Sequence, residues 1–437
     1  MTTPAPDDLV WGAFSDAAPW VLDEGSQPWQ AGLDRIRTDV ADSVPELTRR
    51  RALPPGRRLG TTVVHLGGAV GRWAAGARRA GGGASKRDLA RRLRVAAERL
   101  GPSYIKLGQI VSSGQGLFPD ELVDEFRTLR DRVQPEPFAA VRRVVEEDLG
   151  RPLAEVFATF ERRPIAAASI AQVHAATLRS GEAVVVKVQR PTVAARVRSD
   201  LRVMSWIAPL LVGRIPVAAL ANPPALVELF AETITEELDF RLEAENMVHV
   251  GRSFAALDQR GYVVPRPHPT LVTRRVLVME RLSGFAFDDV VGMQGAGIDT
   301  EAVVRTGMIG FLEGAMINGI FHGDLHGGNL LVLADGRTGL LDFGITGRLT
   351  EPERQAFLRL LVAASMNDVR SQLLALRDLG ALPESTDLEA VAVDLGLDQP
   401  PIDPTTLSPE QLTAEIQRVV KALLGSGPGS RSPSCCS

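Results

Sequence analysis

Apolar residues recur at helical spacing after Ser85. Leu89, Leu93, Ala96 and Leu100 mark one face, and Gly101-Pro102 ends the run. A second helix is predicted to begin near Pro119. Its first turn holds Asp120 and Glu121, beside the positive end of the helix dipole, and Leu122, Phe126 and Leu129 form its apolar stripe. The texture changes between about 156 and 190. Residues 172–178 and 183–188 read as strands joined by the tight turn Arg179-Ser180-Gly181-Glu182. Helical periodicity returns over 225–250, and 275–280 reads as a further strand ahead of Leu282-Ser283-Gly284. The remainder is predicted helical, with short strands near 322–345. Gly81-Gly82-Gly83 reads as a flexible joint, and GSGPGSRSPSCCS after Leu424 as a disordered tail.

Composition narrows the class. The chain has 437 residues, 45% hydrophobic and 23% charged, enough for a large two-lobed core. Cys435 and Cys436 are adjacent in the polar tail, so they neither staple a fold nor give a metal-binding spacing. This fits a reducing, cytoplasmic setting. We expect no signal peptide, because the first residues lack a basic stretch followed by an apolar one. No apolar run reaches the roughly 18 residues needed to span a bilayer. The best, 206–220, is broken by Pro209, Arg214 and Pro216.

Charge is unevenly spread. Net charge is −4, yet residues 49–99 carry fourteen Lys/Arg against only Asp88 and Glu98. Val63, Val64, Leu66, Val70 and Trp73 lie among those arginines, a pattern that suits a peripheral contact with an anionic membrane surface. A solvated basic linker is the plainer alternative, and no nucleic-acid partner is expected. Lysine is scarce: Lys86, Lys106, Lys187 and Lys421 stand against 45 arginines. A retained lysine marks a place where a compact ammonium serves better than a planar fork.

The candidate chemistry lies in five segments. In His322-Gly323-Asp324-Leu325-His326-Gly327-Gly328-Asn329, an Asp precedes an Asn by five residues, the spacing of a kinase catalytic loop. Asp324 would orient the acceptor, and Asn329 would offer a neutral oxygen to a hard cation. Eighteen residues after Asp324 comes Leu341-Asp342-Phe343-Gly344, whose carboxylate suits a second magnesium ligand. Lys187 sits in the apolar strand segment 183–188 and needs a counter-charge. Upstream, Ala166, Ala167, Ala168 and Ser169 occupy the place of a glycine-rich phosphate loop. Alanine permits close approach but resists positive φ, so this loop should be stiffer. Finally, one helix is expected to carry Glu236, Glu237, Asp239, Glu243 and Asn246. Asp239 and Glu243 would share a face and call for cations, with Lys187 and Lys106 available.

Taken together, these segments resemble the UbiB/AarF family of atypical kinases over about 86–350. The resemblance is carried by Lys106-Leu107-Gly108-Gln109, the alanine loop leading to Gln172-Val173-His174, Lys187-Val188-Gln189-Arg190-Pro191, Glu237-Leu238-Asp239 and the two Asp motifs. It implies an α+β, two-lobed protein-kinase-like fold with a helical N-terminal extension. The divisions expected are a basic N-terminal segment over 1–85, an extension over 86–150, an N-lobe over 151–281, a C-lobe over 282–424 and a tail over 425–437. Further C-lobe helices would be expected where that tail stands. The resemblance also implies ATP or ADP and Mg2+ as cofactors. Lys187 would pair with Glu243 and contact phosphate, Asp324 would be the catalytic-loop aspartate, and Asn329 and Asp342 would hold Mg2+. Lys106 and Gln109 would cover the site near Glu237 and Asp239, leaving little room for a protein substrate. Lipid or quinone-pathway components are the implied partners. A small-molecule phosphotransferase of the aminoglycoside or choline type and a non-catalytic nucleotide-binding regulator remain the competing readings.

Overall fold

The structure is a computed structural model. It describes residues 27–49, 56–76, 82–113, 118–129, 134–212, 223–323, 325–366 and 368–380, together with Trp20, Leu22, Leu382, 386–389 and Val391. Asp324 and the 425–437 tail, with its two cysteines, lie outside the described residues.

Before the first sheet come helices α1 (Leu33–Thr48), α2 (Gly82–Leu100), α3 (Pro102–Ser113), α4 (Asp120–Arg127) and α5 (Phe138–Leu149). The helix expected from Ser85 begins at Gly82, so the anticipated glycine joint is partly helical. Glycine costs little in a first turn, where N–H groups have no intrahelical partner anyway. Strands β1 (Phe157–Phe160), β2 (Ala166–Ala167), β3 (Ala171–Leu178) and β4 (Ala183–Gln189) follow. Helices α6 (Val193–Leu211), α7 (Pro223–Glu236) and α8 (Phe240–Ala256) then lead to β5 (Tyr262–Val263), β6 (Pro267–Val272) and β7 (Val276–Glu280). The N-lobe sheet runs β1-β3-β4-β7-β6, with β2 paired to β3, and all of these pairings are antiparallel.

Strand alternation decides what faces the site. Val184, Val186 and Val188 of β4 pack with Val141, Val144 and Val145 of α5. Lys187 therefore points to the opposite face, toward α8. That helix is buried along most of its length, with Phe240, Leu242, Ala244, Met247, Val248 and Phe254 in a core that also takes in Leu100, Tyr104 and Ile105 of the extension.

A connector through Arg281-Leu282-Ser283-Gly284 leads to the second lobe. There β8 (Phe285–Ala286), β10 (Leu330–Val332) and β11 (Thr338–Leu340) join β5 in one small sheet, in the order β5-β11-β10-β8. Strands β9 (Ile320–His322) and β12 (Thr346–Arg348) form another. Helices α9 (Thr300–Glu313), α10 (Glu351–Ser365) and α11 (Val369–Asp378) complete the described C-lobe. The α+β, two-lobed kinase-like architecture with a helical extension is thus present. Among the described residues, no helix is long and apolar enough to cross a membrane.

Gly108 shows how tightly the extension closes on itself. A Cβ there would lie 2.3 Å from Leu129 Cδ1 and 2.6 Å from Phe126 Cδ1, so α3 meets α4 through a bare backbone. Gly108→Ala gains helix propensity but overpacks this contact. We predict a net loss of about 1–3 kcal/mol, read as a lower urea midpoint with an unchanged m value.

Candidate functional site

The site assembles where β4, α8 and the Asp-Phe-Gly turn converge. Lys187 Nζ donates to Glu243 Oε1 at 2.7 Å and to Asp342 Oδ1 at 3.1 Å. It also lies 5.5 Å from the centre of the Phe240 ring. Asp342 has φ of 59°, a strained left-handed conformation for a residue other than glycine. The surroundings hold it there. The Gly344 N–H donates to Asp342 Oδ1 at 3.2 Å, and Asn246 Nδ2 donates to the Phe343 carbonyl at 3.1 Å. Buried Phe343 meets the His322 ring edge-on at 5.2 Å, while His322 Nε2 donates to the Leu341 carbonyl at 3.0 Å. The Leu341 N–H donates to the Asn329 carbonyl at 2.8 Å, which ties the two Asp-containing motifs together. The loop around Gly327 closes as a short turn, with His326 Nδ1 accepting from the Gly328 N–H at 3.0 Å.

The extension enters from the other side. Lys106 Nζ lies 2.7 Å from Glu237 Oε1. Glu237 in turn borders Gly344, where an added Cβ would sit 3.6 Å from Glu237 Cγ and 3.2 Å from Asp342 Oδ1. Gln109 follows on the same helix, α3.

The acidic stretch is not one helix, as its periodicity suggested. Helix α7 stops at Glu236, and α8 starts at Phe240. Asp239 is the N-cap between them: its side chain accepts from the Arg241 N–H at 3.2 Å and from the Arg241 guanidinium at 2.9 and 2.6 Å. Asp239 and Glu243 therefore do not compete for cations along one helix face. Lys106 is drawn to Glu237 and Lys187 to Glu243, while Asp239 is satisfied locally.

The alanine segment forms a hairpin. Ala166 and Ala167 pair with Val173 and Gln172, and the Ala168 N–H donates to the Ala171 carbonyl at 2.8 Å. Ser169 and Ile170 at the tip are buried.

Comparison with known proteins gives the family. A model described as the ABC1 atypical kinase-like domain matches residues 128–374. The chain belongs to this family. Its relatives include an uncharacterized protein of Mycobacterium tuberculosis, 44% identical over 266 residues, or 61% of this chain and 54% of that one. An aarF domain-containing protein kinase of Arabidopsis thaliana, chloroplastic, is 36% identical over 69% of this chain and 56% of its own. A "Probable protein kinase UbiB" of Marinobacter nauticus is 37% identical over 64% and 51%. The matches thus span about half the length of these curated relatives. A solved Mycobacterium tuberculosis protein, Rv3197 in complex with erythromycin, aligns at TM-score 0.46 and 24% identity over 74% of this chain and 89% of the other, too loosely to carry an argument.

In this ABC1 protein the charges are strongly coupled. Burial opposes the charge on Lys187, but Asp342 and Glu243 overcome it and hold the ammonium above the usual lysine range. Burial pushes Glu243 up to about 7 against the pull of Lys187. Partial desolvation opposes ionisation of the half-exposed Asp342, yet Lys187 and Lys106 prevail and keep it well below the usual carboxylate range. Burial raises Glu237 as well, with Lys106 offsetting only part of the effect.

Sequence reasoning gave no role to Asn246, His322 or Arg190. All three lie in or beside the quoted motifs, but Asn246 and His322 donate to backbone carbonyls, and Arg190 donates to two carbonyls and to Glu136 far away in sequence, partners that leave no local sequence signature.

Glu243 makes stability depend on pH. Its carboxyl rises from an ordinary 4.5 to about 7 on folding, so folding takes up a proton between those values. Its stabilising contribution is whole below about pH 4.5 and is lost as pH rises through 7. Asp342 acts oppositely and only in stronger acid, below its ordinary 3.8. We predict that Glu243→Gln flattens the decline in unfolding free energy between those two pH values, measured by denaturant titration. An unchanged slope would place the proton elsewhere, for instance on Glu280, which burial also raises to about 7.

Proposed function

We propose that this chain is a Mg2+-dependent, ATP-binding atypical kinase or ATPase. The observation that carries the reading is the double hold on Lys187, by Glu243 at 2.7 Å and Asp342 at 3.1 Å. A lone structural lysine needs one counter-charge. A lysine shared between a helix carboxylate and a half-exposed aspartate (48% accessible) is arranged to give up one partner when phosphate arrives. Lys187 would contact the nucleotide phosphates, and the alanine hairpin would lie over them. Asn329 and Asp342 suit a hard divalent cation, because both supply oxygen donors, the Asn329–Leu341 bond brings them together, and Asp342 stays ionised. Bound Mg2+ would neutralise charge on the transferring phosphate. Asp324 would orient the acceptor.

Lys106 and Gln109 lie on a helix packed against this site, so the acceptor is water, a small molecule or a lipid headgroup rather than a protein. Through the family resemblance, isoprenoid quinone or membrane lipid metabolism is the setting we propose.

The decisive measurement is thermal stabilisation by ADP and ATP with and without Mg2+. We expect a clear rise in midpoint, larger with Mg2+, and an Asp342→Asn variant whose response no longer depends on the metal. No shift in the parent protein, or an Mg2+ response unaltered in Asp342→Asn, would refute the proposal.

A second feature supports a peripheral membrane contact. In the helical run 56–75, Val63 and Val64 are exposed, whereas Leu66 packs partly against the core and the Trp73 indole donates to Ser85. Beside it a groove of about 420 Å3 is lined by Arg72, Arg91, Arg92, Arg94, Val95 and Arg99. Arg91 and Arg92 share Asp88, and Arg94 pairs with Glu98 and Glu125. Neutralising Arg72 and Arg99 to Gln should weaken co-sedimentation with phosphatidylglycerol vesicles roughly 30-fold, at about 1 kcal/mol per arginine, and leave phosphatidylcholine controls unchanged. Equal binding by variant and parent would argue against it.

A further inference from the structure

Arg190 lies three residues beyond Lys187, and the ATP-site reading leaves it without a role. It is only 6% exposed. Its donors reach two separate segments. Nε donates to the Ala168 carbonyl at 3.0 Å, and the backbone N–H donates to the Ile170 carbonyl at 2.9 Å. The far side of the fork leaves the hairpin: Nη1 donates to Glu136 Oε1 at 3.0 Å and Nη2 to the Gln134 carbonyl at 3.0 Å. The contact closes on itself through Gln172. That side chain accepts from the Glu136 N–H at 2.8 Å, while its Nε2 lies 2.7 Å from His174 Nε2. His174 Nδ1 must donate to the Glu161 carbonyl at 2.7 Å, so its Nε2 accepts from Gln172. Burial lowers the His174 pKa, which keeps this acceptor available.

We propose that Arg190 is a positioning residue that sets the orientation of the alanine hairpin toward phosphate. The inference rests on the ATP-site reading above. Its physical basis is peptide planarity. The Ala168 carbonyl and the Ser169 N–H share one trans peptide unit, so they point in opposite directions. Drawing the Ala168 oxygen onto Arg190 turns the Ser169 N–H away from it. A glycine-rich loop can reorient its peptides freely, whereas alanine cannot adopt positive φ without strain. The hairpin's donors are therefore aimed by an external clamp rather than by loop flexibility. The clamp needs a guanidinium, because one planar fork must reach Ala168, Glu136 and Gln134 at once. A lysine ammonium is a single point. Glu136 and Gln134 precede α5, so the clamp also couples the alanine hairpin to the helical extension.

The test compares ligands that differ in phosphate. Affinities of adenosine and of Mg2+-ADP are measured by calorimetry for the full chain, for Arg190→Lys and for Glu136→Ala. We expect ADP binding to weaken about tenfold in Arg190→Lys and several-fold in Glu136→Ala, with adenosine affinity unchanged in both. Parallel losses for both ligands would reduce Arg190 to a merely structural role and overturn the proposal, as would unchanged ADP affinity. If Arg190→Lys fails to fold, the remote Glu136→Ala variant decides by the same comparison. A parent protein that binds neither ligand would refute the ATP-site reading itself, an outcome distinct from these.

Discussion

A buried ammonium constrains the whole site. Taking Lys187 out of water is costly unless carboxylates meet it closely, and two do. Each carboxylate imposes its own requirement on the backbone. Glu243 has to come from the first turn of a helix aimed at the sheet, where the helix dipole also favours its negative charge. That start is fixed by the Asp239 cap and by the Phe240 N–H donating to the Arg274 carbonyl at 3.1 Å. Asp342 has to come from a turn with positive φ, a conformation that costs on the order of 1–3 kcal/mol and persists only where neighbours enforce it. Asn246, from the same helix as Glu243, supplies part of that enforcement through Phe343.

The extension is part of the same construction. Buried Asp200 of α6 accepts from Ser103 Oγ at 2.7 Å and pairs with Arg58, whose guanidinium also donates to the Leu100 carbonyl at 2.6 Å. These contacts anchor α3 against the body of the protein and leave Lys106 directed at Glu237. Because Glu237 borders Asp342 and Gly344, the extension is felt electrostatically at the metal-binding aspartate we propose, not only as a steric cover. The alanine hairpin follows the same logic: its tip is buried and its carbonyls are held from outside.

Much of this was legible in one dimension. The strand over 183–188 carries a lone lysine among valines, which needs a counter-charge, and the strand's period of two sets Lys187 opposite Val184, Val186 and Val188. The spacings within 322–329 and 341–344 match those of a kinase catalytic loop and its metal-binding motif, and the two-lobed fold was expected through the family resemblance those motifs carry. Those features depend on local periodicity and fixed spacing, and both are properties of sequence.

Periodicity could not decide partner choice; the Lys187–Glu243 pair was expected only through the family resemblance. Glu237, Asp239 and Glu243 look interchangeable as letters, and helical periodicity put Asp239 and Glu243 on one face. Only the break between α7 and α8 separates them, giving Glu237 to Lys106, Asp239 to a cap and Glu243 to Lys187. Arg190 was hidden for a similar reason, because it binds main-chain oxygens from segments far away in sequence. Periodicity and motif spacing therefore determined the elements and the candidate chemistry. Apart from the Lys187–Glu243 pair that the resemblance implied, the pairing of charges was left to the tertiary structure, since Coulomb attraction and hydrogen bonding depend on distances that exist only once the chain has folded.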